Sequence, residues 1–289
     1  MKAATSPAKY SLIDGTPIEK HNGIYVKRED LCCLPPGPPF SKVRGVVEHI
    51  RNRPEKVFGV LDTFHSQAGI GVAWACKGLH RKCVNFYPVY KKEAEGALYN
   101  SQIPLRENQQ KSQRLGATMV PLQAGRSAIL YHRARKLLEQ QFPGAYLMPN
   151  ALKLPESVES TAREVEASGE QIRQIRPAHV VVSISSGTIA AGVILGLSRL
   201  KLRKLPRIVL HEGYSRSQDA VRAYLDKMIG AGVTGGFEIE IVDEGYQYKD
   251  TAPKSCVAPF PANEFYDRKA WHYVLGAKLK GNILFWNVG

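Results

Sequence analysis

The chain has 289 residues, of which 44% are hydrophobic and 23% charged, a composition suited to one large or two modest globular domains. No apolar run approaches the ~18 residues of a membrane span, and "MKAATSPAKYSL" lacks the apolar core of a signal peptide, so a cytoplasmic protein is expected. Five cysteines (Cys32, Cys33, Cys76, Cys83, Cys256) contain no CxxC pair, which argues against a zinc site or a disulfide framework. Forty Lys and Arg against 26 Asp and Glu give a net charge of +14. Such a field attracts polyanions, nucleic acid above all, although dispersed basic residues also serve solubility. Small basic clusters lie at Arg199 to Arg207 and Tyr90 to Glu93.

In chain order, "PFSKVRG" places Lys42 after a run of prolines, at the start of a helix. "VFGVL" from Val57 is a short β-rich run, followed by a helical pattern from His65 to Leu79 and a strand at "CVNFY" from Cys83. A polar helix from Arg106 ends at Gly116, and "ATMVPL" reads as a strand. Apolar residues spaced i, i+3, i+4 make Ser127 to Phe142 an amphipathic helix, and "AYLM" is a further strand. After the Pro-rich "MPNALKLPES", a long helix is expected from Pro155 to Ile175. "AHVVVSIS" from Ala178 is a continuous β-branched run, as in a parallel strand buried on both faces. A Gly/Ala-rich helix from Gly187 to Leu200, "RIVLHEG", a helix from Ser217 to Ile229 and "FEIEIVDEG" continue the alternation. Strands separated by helices of about 10 to 15 residues mean a parallel α/β sheet.

Three places offer chemistry. In "SISSGTIAAG", Ser185, Ser186, Gly187 and Thr188 stand between a buried strand and a helix. Free N–H groups and hydroxyls there suit a phosphate, or they cap the helix. The turn is neither a GxxxxGK[ST] nor a GxGxxG loop. His65, Ser66 and Gln67 make a second strand-to-helix turn, fit either for a carboxylate or ring oxygen or for an N-cap by Ser66. Lys42 is either one more surface lysine or a nucleophile. A phosphate turn plus a fixed lysine is what pyridoxal phosphate requires.

The order "YVKREDL", "SKVRG", "HSQAG", "SSGT" and "AAG" resembles the fold-type II pyridoxal phosphate enzymes, the tryptophan synthase β-like superfamily, over nearly the whole chain. "YVKREDL" and the C-terminal "ILFWNVG" look most like the aminocyclopropane carboxylate deaminase and D-cysteine desulfhydrase branch. "SKVRG" is similar to the threonine synthase segment that carries the Schiff-base lysine.

The resemblance implies an α/β protein of two three-layer domains, with parallel or mixed sheets and helices on both faces. Residues 1–56 and 152–289 would form the large cofactor domain, and 57–151 a smaller α/β domain. Lys42 would hold the cofactor's aldehyde. Ser185, Ser186, Gly187 and Thr188 would hold its phosphate. His65, Ser66 and Gln67 would bind the substrate carboxylate and the cofactor's ring oxygen. In "EFYDRKA", Tyr266 would face the substrate and Asp267 would pair with the pyridine nitrogen. A homodimer is implied in the same way.

Three departures leave the parent reactions open. The phosphate loop holds only Gly187, Ser41 stands where asparagine is usual, and the chain is short. Either a C–H or a C–carboxylate bond at the amine-bearing carbon could be broken. An enzyme working on an amino acid attached to DNA gains from +14, whereas one working on a free amino acid gains little. Pyridoxal phosphate enzymes of phages that hypermodify thymine decarboxylate a seryl or glycyl group joined to the base, and this is the expected reaction, in the host cytoplasm. The alternatives are a deaminase or β-eliminating lyase on a free small amino acid, and an inactive nucleic-acid-binding relative.

Overall fold

The β-branched runs become the inner strands of two sheets. The computed structural model describes residues 10–90, 105–123 and 125–289; positions 91–93 of the second basic cluster lie outside them. Two units are distinguished. One comprises Met1–Ser11, Leu34–Pro38 and Val46–Leu154, the other Leu12–Cys33, Pro39–Gly45 and Pro155–Gly289. The chain thus changes unit at 11/12, 33/34, 38/39, 45/46 and 154/155, whereas the sequence-based boundaries were 56/57 and 151/152.

The larger unit holds six strands, numbered along the chain: β1 Ile18–His21, β2 Ile24–Arg28, β7 His179–Ile184, β8 Arg207–Glu212, β9 Ile239–Val242 and β10 Ile283–Asn287. Their order is β1-β2-β10-β7-β8-β9, with β1 antiparallel to β2 and the other neighbours parallel. Alternation along the strands gives the sheet two apolar faces. Val180, Val182, Leu210 and Trp286 pack with residues of helices α5 (Pro155–Ala167), α7 (Thr188–Arg199) and α8 (Gln218–Ile229). Val181, Val209 and Phe285 pack with Trp271 and Val274 of α10 (Asp267–Gly276). This is the three-layer arrangement of a buried parallel sheet.

The smaller unit has a parallel sheet ordered β5-β4-β3-β6, from β3 Val57–Leu61, β4 Lys82–Val89, β5 Thr118–Gln123 and β6 Tyr146–Leu147. Leu61, Val84, Phe86 and Leu122 pack with Leu130, Ala134 and Leu138 of α4 (Ser127–Gln141). Helices α2 (Ala68–Gly78) and α3 (Glu107–Arg114) complete it. Helix α1 (Val43–Arg51) carries the chain from the larger unit into the smaller.

Some elements depart from the sequence reading. Strands β1, β2 and β10 were not marked as strands, because charged residues interrupt the pattern at β2. The expected helix from Pro155 to Ile175 breaks at Ser168 into α5 and α6 (Gly169–Ile175), where glycine follows serine and weakens the helix. A four-residue helix α9, Ala231–Thr234, follows α8. All five cysteines are buried, and none is joined in a disulfide. Among the described residues no helix is long and apolar enough to cross a membrane.

Candidate active site

Lys42 lies immediately before α1, on a short bend fixed from two sides. The Ser41 amide donates to the carbonyl of Val288, just past β10, at 3.2 Å. A Cβ on Gly45 would fall 2.3 Å from the backbone of Ser157, so only glycine lets the start of α1 approach α5 this closely. The Lys42 amine donates to Ser186 Oγ at 2.8 Å. The structure thus brings together the lysine and the small-residue turn that sequence alone had left apart.

That turn links β7 to α7. Gly187 takes φ +83°, a left-handed conformation that suits glycine, and Tyr224 Cδ1 would lie 3.0 Å from any Cβ there. Ser186 Oγ and Thr188 Oγ1 are 2.9 Å apart, and Thr188 Oγ1 is 2.9 Å from the Tyr224 hydroxyl. Thr188 is the first residue of α7, whose opening N–H groups have no partner within the helix. Burial raises the Tyr224 phenol, so it stays neutral. Tyr224 lay within an expected helix, and nothing in its local sequence marked it.

Tyr266 and Asp267 start α10. A Cβ on Gly213, at the end of β8, would lie 2.6 Å from Tyr266 Cδ1, so the ring is seated directly on that backbone. Burial, with Tyr248 and Tyr214 beside it, drives the Tyr266 phenol well above its ordinary range, while a hydrogen bond with Ser185 works weakly the other way. Asp267 is 1% exposed. Its Oδ1 accepts the Val288 amide at 3.0 Å, and burial raises its carboxyl from 3.8 to about 7. No Lys, Arg or His among the described residues forms an ion pair with it. Lys269, two residues further on, was also missed by the sequence reading. It is fully buried and donates to the Gly213 carbonyl at 2.5 Å. Burial lowers its amine to about 8.

A buried ion network stands behind Lys42 and explains "YVKREDL". Lys27 donates to Glu164 Oε1 and the Thr16 carbonyl, each at 2.5 Å, and to Ser168 Oγ at 2.7 Å. Arg44 donates to Glu29 Oε2 at 2.5 Å and to the Ile13 carbonyl at 2.7 Å. Thr16 also donates to Glu29. Arg28 grips Asp30 with two bonds of 2.9 and 2.8 Å, and Asn287 Nδ2 reaches Asp30 at 2.8 Å. Two cations and two carboxylates among Lys27, Arg44, Glu29 and Glu164 balance in charge. Arg44, two residues beyond Lys42, is therefore held rigidly.

His65, Ser66 and Gln67 belong to the smaller unit, between β3 and α2. The expected helix start at His65 moves to Ala68, so these three form an open turn. Ser66 Oγ accepts the Ala68 amide at 2.9 Å, and Asn108 Nδ2 donates to the Ser66 carbonyl at 3.0 Å. The fully buried Asp62, raised to about 6 by burial and bonded to Ser66, lies beneath the turn.

Pyridoxal phosphate presents an aldehyde, a phosphate and a ring nitrogen, and the larger unit has a group suited to each. Lys42 carries the amine. Ser186, Thr188 and the start of α7 are donors suited to phosphate. Asp267 is a buried carboxylate in want of a cation, which a protonated pyridine would supply. The buried Ser41 hydroxyl has no partner among the described residues and sits next to Lys42.

Comparison with known proteins agrees. Residues 10–249 match the family described as "Pyridoxal-phosphate dependent enzyme". A protein of Pseudomonas phage M6, "Glycyl-dTMP PLP-dependent decarboxylase", is 48% identical over 287 residues, covering 96% of this chain and 99% of that one. Among solved structures, an ACC deaminase homologue superposes with a TM-score of 0.73 at 20% identity, covering 98% of this chain and 92% of the other. Threonine deaminase isoform 2 from Solanum lycopersicum gives 0.63 at 16% identity, covering 98% and 86%. The two-sheet architecture is thus that of the fold-type II enzymes, and the chain belongs to the pyridoxal-phosphate dependent enzyme family.

Proposed function

We propose that this enzyme is a lyase that decarboxylates a glycyl group carried on thymine in phage DNA. The observation that carries the reading is 48% identity along nearly the whole of both chains with the phage M6 glycyl-dTMP decarboxylase. Pyridoxal phosphate, when bound, supplies an electron sink that eases the breaking of a bond at the amine-bearing carbon.

The chain's own residues would then act as follows. Lys42 would hold the aldehyde, and its amine would be placed to give a proton to the carbon that has lost its carboxylate. Ser185, Ser186, Gly187 and Thr188 anchor the phosphate, with Tyr224 orienting Thr188 through their 2.9 Å contact. Asp267 would pair with the ring nitrogen and favour its protonated form. Tyr266, neutral at any working pH, is a proton donor facing the substrate. His65, Ser66 and Gln67 receive the substrate's carboxylate.

Mass spectrometry of nucleosides, from DNA carrying glycyl-thymine incubated with the protein, tests this. The expected product is lighter by one carbon dioxide. An unchanged nucleoside, together with ammonia or keto acid formed from free amino acids, would replace this reading with a deaminase.

A further inference from the structure

The basic cluster at Arg199 to Arg207 has no part in the chemistry above. Its two ends are neutralised: Arg199 pairs with Glu159 and Glu166 at 2.8 and 3.4 Å, and Arg207 with Glu238 and Glu240 at 3.0 and 3.6 Å. Lys201, Arg203 and Lys204 between them are exposed and form no ion pair among the described residues. The fold brings further cations to the same place. β10, β7 and β8 are neighbours whose first residues, Ile283, His179 and Arg207, stand in register. The stretches that lead into them therefore meet at the amino ends of these strands. Arg173 and Arg176 precede β7, and Lys278 and Lys280 precede β10; all four are exposed and form no ion pair among the described residues. Hydrogen bonds tie the three stretches together. Asn282 Nδ2 donates to the Ile175 carbonyl at 2.6 Å, the Arg207 amide to the Ala178 carbonyl at 2.9 Å, and Arg173 Nη2 to the Leu200 carbonyl at 3.4 Å. Residues 171–178, 200–206 and 277–282 contain no Asp or Glu.

Two of these cations stand where the backbone favours glycine. Arg176, at φ +50°, closes α6, and Lys201, at φ +49°, lies just past α7. The macrodipole draws cations to helix ends, yet a left-handed residue at such an end is ordinarily glycine, because a Cβ is strained there. The chain keeps a charged side chain at both positions in spite of that strain.

We propose that this acid-free surface is an anchor for the phosphate backbone of DNA, gripping the duplex away from the base that reacts. This rests on the reading of a DNA-borne substrate and adds to it where the nucleic acid is held. Strand β7, six residues long, separates the anchor from the Ser186 turn by about 20 Å at ~3.3 Å per residue, so a single nucleotide does not reach from one to the other. Lysine and arginine contacts to phosphates position a duplex without reading its sequence. A free amino acid or a mononucleotide gains nothing from such a surface, whereas a long polyanion gains one contact for each phosphate met.

The test uses cofactor-loaded protein and a fluorescent duplex of unmodified DNA, read by anisotropy at several salt concentrations. Lys278→Gln combined with Lys280→Gln is expected to weaken binding about tenfold or more at moderate salt. It should also reduce the slope of log affinity against log salt by about 1.8, the value for two phosphate contacts on a duplex. Arg176→Gly combined with Lys201→Gly is expected to weaken binding as well, yet to melt no lower than the wild type, since glycine relieves the left-handed strain. A purely structural role for those two residues would not give that pair of results. Carbon dioxide release from a glycyl-thymine mononucleotide should be unchanged in both double variants, while release from glycyl-thymine duplex should show a raised KM. Wild-type affinity and salt slope in both double variants would overturn the anchor. So would binding of the wild type to phosphatidylserine vesicles with none to duplex DNA. Weakened DNA binding in the variants, with no carbon dioxide released by the wild type from either substrate, would leave the anchor standing and remove the decarboxylase reading.

Discussion

Asp267 couples the site to pH. Its carboxyl is raised from 3.8 to about 7, so the fold without cofactor favours the protonated form. Its stabilising contribution is complete below about pH 4 and is lost as pH climbs through 7, at about 1.4 kcal/mol for each pH unit separating the two values. Asp62, raised to about 6, acts in the same direction. The melting temperature of the cofactor-free protein should therefore fall between pH 4 and 7, and Asp267→Asn should flatten much of that fall. Pairing with a protonated pyridine reverses the preference, so added pyridoxal phosphate should raise the melting temperature more at pH 8 than at pH 5. Calorimetry of the wild type and the variant checks both; an equal pH slope in the two proteins would rule out an ionisable Asp267. Tyr266→Phe removes a neutral donor held well above its ordinary range. Turnover should drop by about 100-fold, in kcat rather than KM. At this scale the sequence was partly legible. Lys42, Ser186 and Asp267 stood in recognisable segments, whereas Tyr224 and Lys269 act through contacts with residues 36 and 56 positions away, which no local pattern records.

At the scale of elements, β2 was hidden by its own chemistry. Lys27 is fully buried in the strand, which a hydrophobic pattern reads as a break. Burial drives its amine down, and Glu29 and Glu164 pull it back up. Burial pushes Glu164 up as well, but the Lys27 and Arg44 charges and hydrogen bonds outweigh it and hold that carboxyl low. Removing one member leaves an unbalanced charge out of water, which costs far more than the intact network contributes. Glu164→Gln should destabilise the protein by about 3 kcal/mol, seen as a lower urea midpoint. A change below about 0.5 kcal/mol, the range of ordinary surface substitutions, would mean that the network does not hold α1 in place. The parallel strands β7 and β8 were easily read, because valine and isoleucine on both faces need no distant partner to explain them.

For the whole molecule, alternating strands and helices identified the class, and the order of segments identified the superfamily. Neither defined the units, since α1 crosses between them and a contact boundary leaves no mark in composition. Net charge pointed to a polyanionic substrate without locating it. If DNA is that substrate, affinity should weaken about tenfold or more between about 50 and 200 mM salt. Anisotropy at several salt concentrations measures this, and a flat response would dissociate the charge from the substrate. The central claim is that Lys42, 2.8 Å from Ser186 Oγ, is the lysine that holds the cofactor. Borohydride reduction of the loaded protein, followed by proteolysis and peptide mass spectrometry, tests it most directly. The pyridoxyl group should be found on the peptide containing Lys42 and be missing in Lys42→Ala. Attachment to a different lysine, such as the buried Lys269, or to no lysine at all, would contradict the account.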